Sequence, residues 1–141
     1  MIRTILVALD ETPIAPRVLA RATEIAERFD ARMVLFRAVM VPPEFPAAAA
    51  QATPGDPLPD HLAQEAREAL RLLSTGNARA GVEPPIIAYG DPWRAIVATS
   101  NRLDADLVVV GSHLYHWPDH ILGTVAGNLA NRGTRNVLVV R

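Results

Sequence analysis

Four apolar runs rich in branched side chains punctuate the chain: Ile2–Leu9, Met33–Val41, Ala105–Val110 and Val137–Val140, with a weaker fifth at Pro85–Ala88. Runs that are continuous rather than alternating predict strands covered on both faces, as in a parallel sheet. The stretches between them carry a helical period. Ile14, Val18, Ala22, Ile25 and Phe29 are spaced by three and four, with Arg17, Arg21, Glu24, Glu27 and Arg28 opposite and Pro13 in the first turn. A second helix is expected from about Pro59 to Ala80 with Leu62, Ala66, Leu70 and Leu73 inward. A third is expected from Pro92 to Leu103 on Ile96, Val97 and Leu103, and a fourth after Gly123 on Val125, Leu129 and Ala130. Alternating strands and helices of this length predict an α/β protein, a doubly wound, Rossmann-like parallel sheet of five strands with helices on both faces.

One segment breaks the pattern. Residues 42–59 hold six of the twelve prolines, around Ala47–Ala50 and Gly55. They are expected to form a mobile loop after the second strand. No internal repeat is present, and 141 residues are read as one domain spanning 1–141. A chain of this size buries roughly 68–70% of its unfolded surface, so its core needs no disulfide or metal.

Composition then narrows the chemistry. A net charge of −1 gives no electrostatic reason to expect nucleic acid or an anionic membrane as partner. With no cysteine, thiol nucleophiles, CxxC redox chemistry and cysteine-built zinc sites are excluded. All 14 basic residues are arginine, which removes the P-loop lysine and any Schiff-base mechanism. The residues from Met1 to Asp10 lack a signal-peptide pattern, and no apolar stretch approaches the ~20 residues of a membrane span. A cytoplasmic protein is expected.

Ligands of open α/β sheets bind beyond the carboxyl ends of the strands. Asp10-Glu11-Thr12, Gly90-Asp91-Pro92 and Gly111-Ser112-His113 converge there. A carboxylate such as that of Asp10 either accepts from a ribose hydroxyl or an adenine amine, or caps a helix. The segment from Gly111 to Ala126 leaves a buried strand on a small-residue turn and ends with Gly123-Thr124 opening a helix. Backbone N–H groups at its two ends can face one anion. Thr124 either donates to a phosphate or caps its helix.

These residues resemble the universal stress protein family. The likeness rests on Val-Ala-Leu-Asp-Glu-Thr at 7–12, Gly-Asp-Pro-Trp-Arg-Ala-Ile at 90–96, Ala-Asp-Leu-Val-Val-Val-Gly-Ser-His at 105–113, Leu-Gly-Thr-Val-Ala at 122–126 and Asn-Val-Leu-Val-Val at 136–140. The resemblance implies strand order 3-2-1-4-5, a role in the stress response, and a homodimer whose last strands, Asn136–Val140, pair edge to edge. It also implies binding of ATP, with or without Mg²⁺, through a loop of the form Gly-x2-Gly-x9-Gly-Ser/Thr. The implied nucleotide site comprises Ala8, Leu9, Asp10 and Thr12, then Ala38 and Val39 toward the adenine. It continues with Gly90, with Gly111, Ser112, His113 and Leu114, and with Gly123, Thr124 and Val125.

Leu114 stands where that loop carries its second Gly. If the position needs a positive φ, a Leu costs about 1–2 kcal/mol. If it needs close approach to phosphate, the side chain blocks the ligand. A loop that turns Leu114 outward escapes both costs. Tyr115, His116 and Trp117 follow, either to stack on a base, to cover the site or to pack on a dimer partner. The alternative function is therefore a nucleotide-free dimeric interaction scaffold of the same family.

His113, His116 and His120 suggest a metal cluster, but Pro118 interrupts any helix aligning 116 with 120 and no cysteine completes a set. Loop histidines are the simpler reading, and no metal is expected. A slow ATPase is the enzymatic alternative, with Asp10 or His113 as its only nominees and no lysine to neutralise phosphate charge. No catalytic residue is assigned. Trp93 is expected to pack under the third helix rather than wall the pocket. His61 is expected to be exposed, and Arg132 and Arg135 to pair across a dimer.

Overall fold

The computed structural model describes residues 1–40, 57–112 and 123–141, with the side chains of 57–59 left out. The elements run β1 (Thr4–Ala8), α1 (Ala15–Phe29), β2 (Arg32–Val39), α2 (Pro57–Leu73), β3 (Ile86–Tyr89), α3 (Pro92–Arg102), β4 (Leu107–Gly111), α4 (Thr124–Arg132) and β5 (Asn136–Val140). The five strands form one parallel sheet in the order β3-β2-β1-β4-β5. This is the expected doubly wound topology.

The apolar runs become strands because both faces of the sheet are covered. Ile5, Leu6 and Val7 of β1 are all fully buried. Alternation sends Ile5, Val7, Met33, Leu35 and Val109 to one core, under Val18, Leu19 and Ala22 of α1 and Leu70 of α2. Leu6, Val34, Phe36, Val108 and Val110 face the other, under Ile96 of α3 and Ala126 and Leu129 of α4. Burial of each Val, Leu, Ile, Phe or Met among these contributes about 1.5–3 kcal/mol.

Several boundaries differ from the expectation. Helix α2 stops at Leu73 rather than Ala80, because the Ser74 and Thr75 hydroxyls turn back onto the Arg71 carbonyl at 3.1 and 3.2 Å. Gly76 then takes a φ of +80°, and the Asn77 side chain accepts from the N–H groups of Arg79 and Ala80. The proline-rich stretch 42–59 yields its last three residues to α2, and the rest of it lies outside the described residues. Helix α1 begins at Ala15, so Pro16 rather than Pro13 sits in its first turn. Its buried stripe is Ala15, Val18, Leu19, Ala22 and Ala26, which leaves Phe29 half exposed. On α4, Ala126 is buried and Ala130 is exposed.

Candidate functional site

The chain crosses from β3 on one side of β1 to β4 on the other, so the switch point lies between β1 and β4. A hollow of about 90 Å³ opens there, at the carboxyl end of the sheet. Its floor and walls come from Ala8, Leu9 and Asp10 after β1, Phe36 and Ala38 of β2, and Val110 and Gly111 of β4. Pro92 and Ile96 of α3 and Val125 of α4 close it on the helix side. The hollow exists because Ala8 and Ala38 are small where larger residues would fill it. It is smaller than the ~300–1,000 Å³ of an enclosing ligand site. It can therefore take one part of a ligand and leave the rest outside.

Among the described residues, Asp10 supplies the only ionisable side chain of the lining. The Leu9 N–H donates to the Phe36 carbonyl at 2.9 Å, which fixes the strand end from which Asp10 projects. Asp10 Oδ1 accepts from the Thr12 N–H at 2.9 Å and from the Thr12 hydroxyl at 2.5 Å. Helix α1 has Ile14 at its N-cap with no side-chain cap, so the helix-capping alternative for Asp10 does not apply. The carboxylate is held by its own loop, at the pocket.

The other expected site residues divide. Ala8, Leu9, Ala38, Gly111 and Val125 line the hollow with Asp10. Thr12, Val39, Gly90, Ser112, Gly123 and Thr124 stand outside its lining. The Thr12 hydroxyl serves Asp10. The Val39 carbonyl accepts from the Gly90 N–H at 3.1 Å, and Gly90 turns the chain into α3 with a φ of +110°. The Ser112 N–H donates to the Val140 carbonyl at 2.8 Å, extending the β4–β5 ladder. Gly123 is buried and its carbonyl accepts from Gly127, while Thr124 is exposed and makes no cap. His113 and Leu114 lie outside the described residues, as do Tyr115, His116, Trp117 and His120.

Gly111 has a packing cause. A Cβ on it would meet Ile14 Cγ2 at 3.0 Å and Val18 Cγ2 at 3.2 Å, so the start of α1 rests on bare backbone. Pro92 belongs to one of the three converging segments, whereas sequence reasoning missed Phe36, Ile96 and Val110 as lining residues. The strand period would have found Phe36, two residues before Ala38 on the same face.

Trp93 packs against the α3/α4 core, as expected, with Arg94 and Arg132 stacked at 4.9 and 5.6 Å from its centroid. Arg132 is thus placed within its own chain. Within the chain, Arg135 reaches Asp104 at 2.7 Å and Asn101 at 3.1 Å. His61 is exposed beside Glu65. Among the described residues no group of three His, Asp or Glu side chains is placed to hold a metal ion. No helix among them is long and apolar enough to cross a membrane.

The model of the universal stress protein family matches residues 1–141. The chain belongs to that family. A curated relative, Universal stress protein A homolog 1 of Coxiella burnetii, is 27% identical over 136 residues, covering 96% of this chain and 94% of its own. A universal stress protein crystallised in complex with cAMP is 26% identical, with a TM-score of 0.74 over 99% of this chain and 97% of that one. The family fold is also shared with a universal stress protein from Archaeoglobus fulgidus in complex with dAMP, 22% identical, with a TM-score of 0.68 over 100% of both chains.

Proposed function

We propose that this family member is an adenine-nucleotide-binding module, with ATP among its ligands, that acts as a cytoplasmic homodimer in the stress response. The observation that carries the reading is the carboxylate of Asp10 set among apolar walls at the switch point. Apolar walls suit a purine ring, and a fixed carboxylate suits ribose hydroxyls. The family member crystallised with cAMP supports the same ligand class. Mg²⁺ would arrive with the phosphates of ATP. Backbone N–H groups at the start of α4 and the Gly111-Ser112 turn are the proposed phosphate side of the site.

Dimer formation is assigned to β5. Val137, Leu138 and Val139 are half-buried on a strand that, among the described strands, pairs with β4 alone. An apolar edge strand of this kind is protected when a second copy pairs with it.

Titration calorimetry with adenosine, AMP and ATP, alongside the native mass, tests the reading. Binding near one ligand per subunit is expected, and an Ala38→Phe variant should lose it with its far-ultraviolet circular dichroism unchanged. No heat from any of the three at ~1 mM ligand would overturn the nucleotide reading.

A further inference from the structure

We propose, resting on the nucleotide reading above, that Thr12 is the positioning residue of the nucleoside site. Its hydroxyl acts on the ligand through Asp10, by holding that carboxylate in the orientation in which it binds, and not by touching the ligand itself.

The backbone that carries Asp10 is fixed before Thr12 contributes anything. Leu9 is 3% exposed and donates its N–H to the Phe36 carbonyl at 2.9 Å, which ties the end of β1 to β2. That bond does not fix the Asp10 side chain. The terminal torsion of an aspartate is broad and roughly two-fold, so an unrestrained carboxylate samples many planes. Thr12 removes this freedom. Its N–H reaches Asp10 Oδ1 at 2.9 Å, and its hydroxyl reaches the same oxygen at 2.5 Å. The second distance is that of a charge-assisted bond from a hydroxyl to a carboxylate. With two donors converging on one oxygen, the plane of the group is set.

Thr12 can anchor a neighbour because it is itself held. Its carbonyl accepts from the Ala15 N–H at 3.0 Å, in the turn that opens α1. Ile14 and Val18 of that helix start rest on the bare backbone of Gly111, which lines the same hollow from β4. The Asp10 carboxylate is thus referenced, through Thr12 and α1, to another wall of its own site. A ligand that meets an unrestrained side chain must order it, which costs about twofold to tenfold in affinity for one such group. A competing effect has the opposite sign, since a hydroxyl that donates to Oδ1 draws charge away from the ligand. The N–H of residue 12 still donates when the hydroxyl is removed, so only part of that charge returns while the torsion is freed. The ordering cost therefore decides the sign.

The test is calorimetry on the full chain with adenosine and with ATP and Mg²⁺, comparing wild type, Thr12→Val and Thr12→Ser. Valine keeps the backbone N–H and the branched shape but lacks the hydroxyl, whereas serine keeps the hydroxyl. Thr12→Val should weaken both ligands by one factor, about twofold to tenfold, with its urea midpoint near wild type. Thr12→Ser should bind within about twofold of wild type. In an Asp10→Ala background Thr12→Val should have no further effect, because the hydroxyl has no carboxylate to hold. Unchanged or tighter binding by Thr12→Val, a serine variant as weak as the valine one, or an undiminished loss in the Asp10→Ala background would overturn the proposal and leave the nucleotide reading intact. A loss confined to ATP would do the same, by placing the hydroxyl on the phosphates. Absence of binding by the wild type overturns the nucleotide reading and this inference with it.

Discussion

The two ends of the sheet are built on opposite plans. At the amino end, connections are tied by charged and polar cross-links. The Asp106 carboxylate accepts from the N–H groups of Arg3 and Thr4 at 2.8 and 2.9 Å, Arg32 Nε donates to the Thr4 hydroxyl at 3.0 Å, and Arg79 spans Asp30 and the Ala31 carbonyl. Arg135 adds a bridge to Asp104 and Asn101. At the carboxyl end, the same sheet stops over a small apolar hollow, and its carboxylate, Asp10, is held by its own loop. Both ends leave a concavity: about 240 Å³ at the amino end, lined by Asp30, Arg32, Arg79 and Glu83 with Ala31, Met33 and Val82, and about 90 Å³ of mostly apolar lining at the carboxyl end. One end is cross-linked by charge, and the other is walled by apolar side chains around the Asp10 carboxylate.

The largest expected effect shows where the carboxyl end becomes core. Phe36 floors the hollow and is also 1% exposed within the α3/α4 core. Truncation by Phe36→Ala should cost about 3–5 kcal/mol in urea unfolding, whereas filling the hollow with Ala38→Phe should remove binding and leave the urea midpoint near wild type. A Phe36→Ala loss below about 1 kcal/mol would mean that the pocket floor is not part of the core. Next in size is Gly111→Ala. Its new methyl would press on Ile14 and Val18, at 3.0 and 3.2 Å, so an overpacking cost of about 1–3 kcal/mol is expected. A neutral result would show that α1 can move away from β4 without penalty.

The fold was legible because its signals are local and redundant. Five apolar runs separated by helical periods leave few arrangements, and full burial on both faces of β1 is what continuous runs announce. Boundaries failed where side chains override propensity. The end of α2 is set by Ser74, Thr75 and Asn77 turning onto backbone, a choice the apolar period of Leu70 and Leu73 does not encode. The lining of the hollow was legible at Asp10 and Gly111, which sit at strand ends, and through the family resemblance at Ala38 and Val125, but not at Phe36 and Ile96. Those two resemble every other core residue in sequence. They become walls only because Ala8 and Ala38 leave space beside them, and such a vacancy belongs to the packed structure. Gly111 carried a further ambiguity, since a glycine required by an approaching helix reads the same as one required by a phosphate.

The smallest expected effect tests the amino end alone. Two backbone N–H groups, from Arg3 and then Thr4, hold the Asp106 carboxyl below the ordinary carboxylate range. A lowered pKa in the folded state means that the ionised form stabilises the fold, fully above the unfolded carboxylate's pKa of about 3.9. That contribution is lost as pH falls through the lowered folded value. Asp106→Asn keeps an acceptor oxygen but removes the charge. The wild-type advantage in urea midpoint should therefore be constant from about pH 5 to 7 and shrink progressively below about pH 4. An advantage that does not change with pH would assign the effect to shape rather than charge. Adenosine affinity at neutral pH should be the same in both proteins, because the two N–H groups and the hollow lie at opposite ends of the sheet. A shared loss of stability and binding would instead join the two ends that the structure keeps apart.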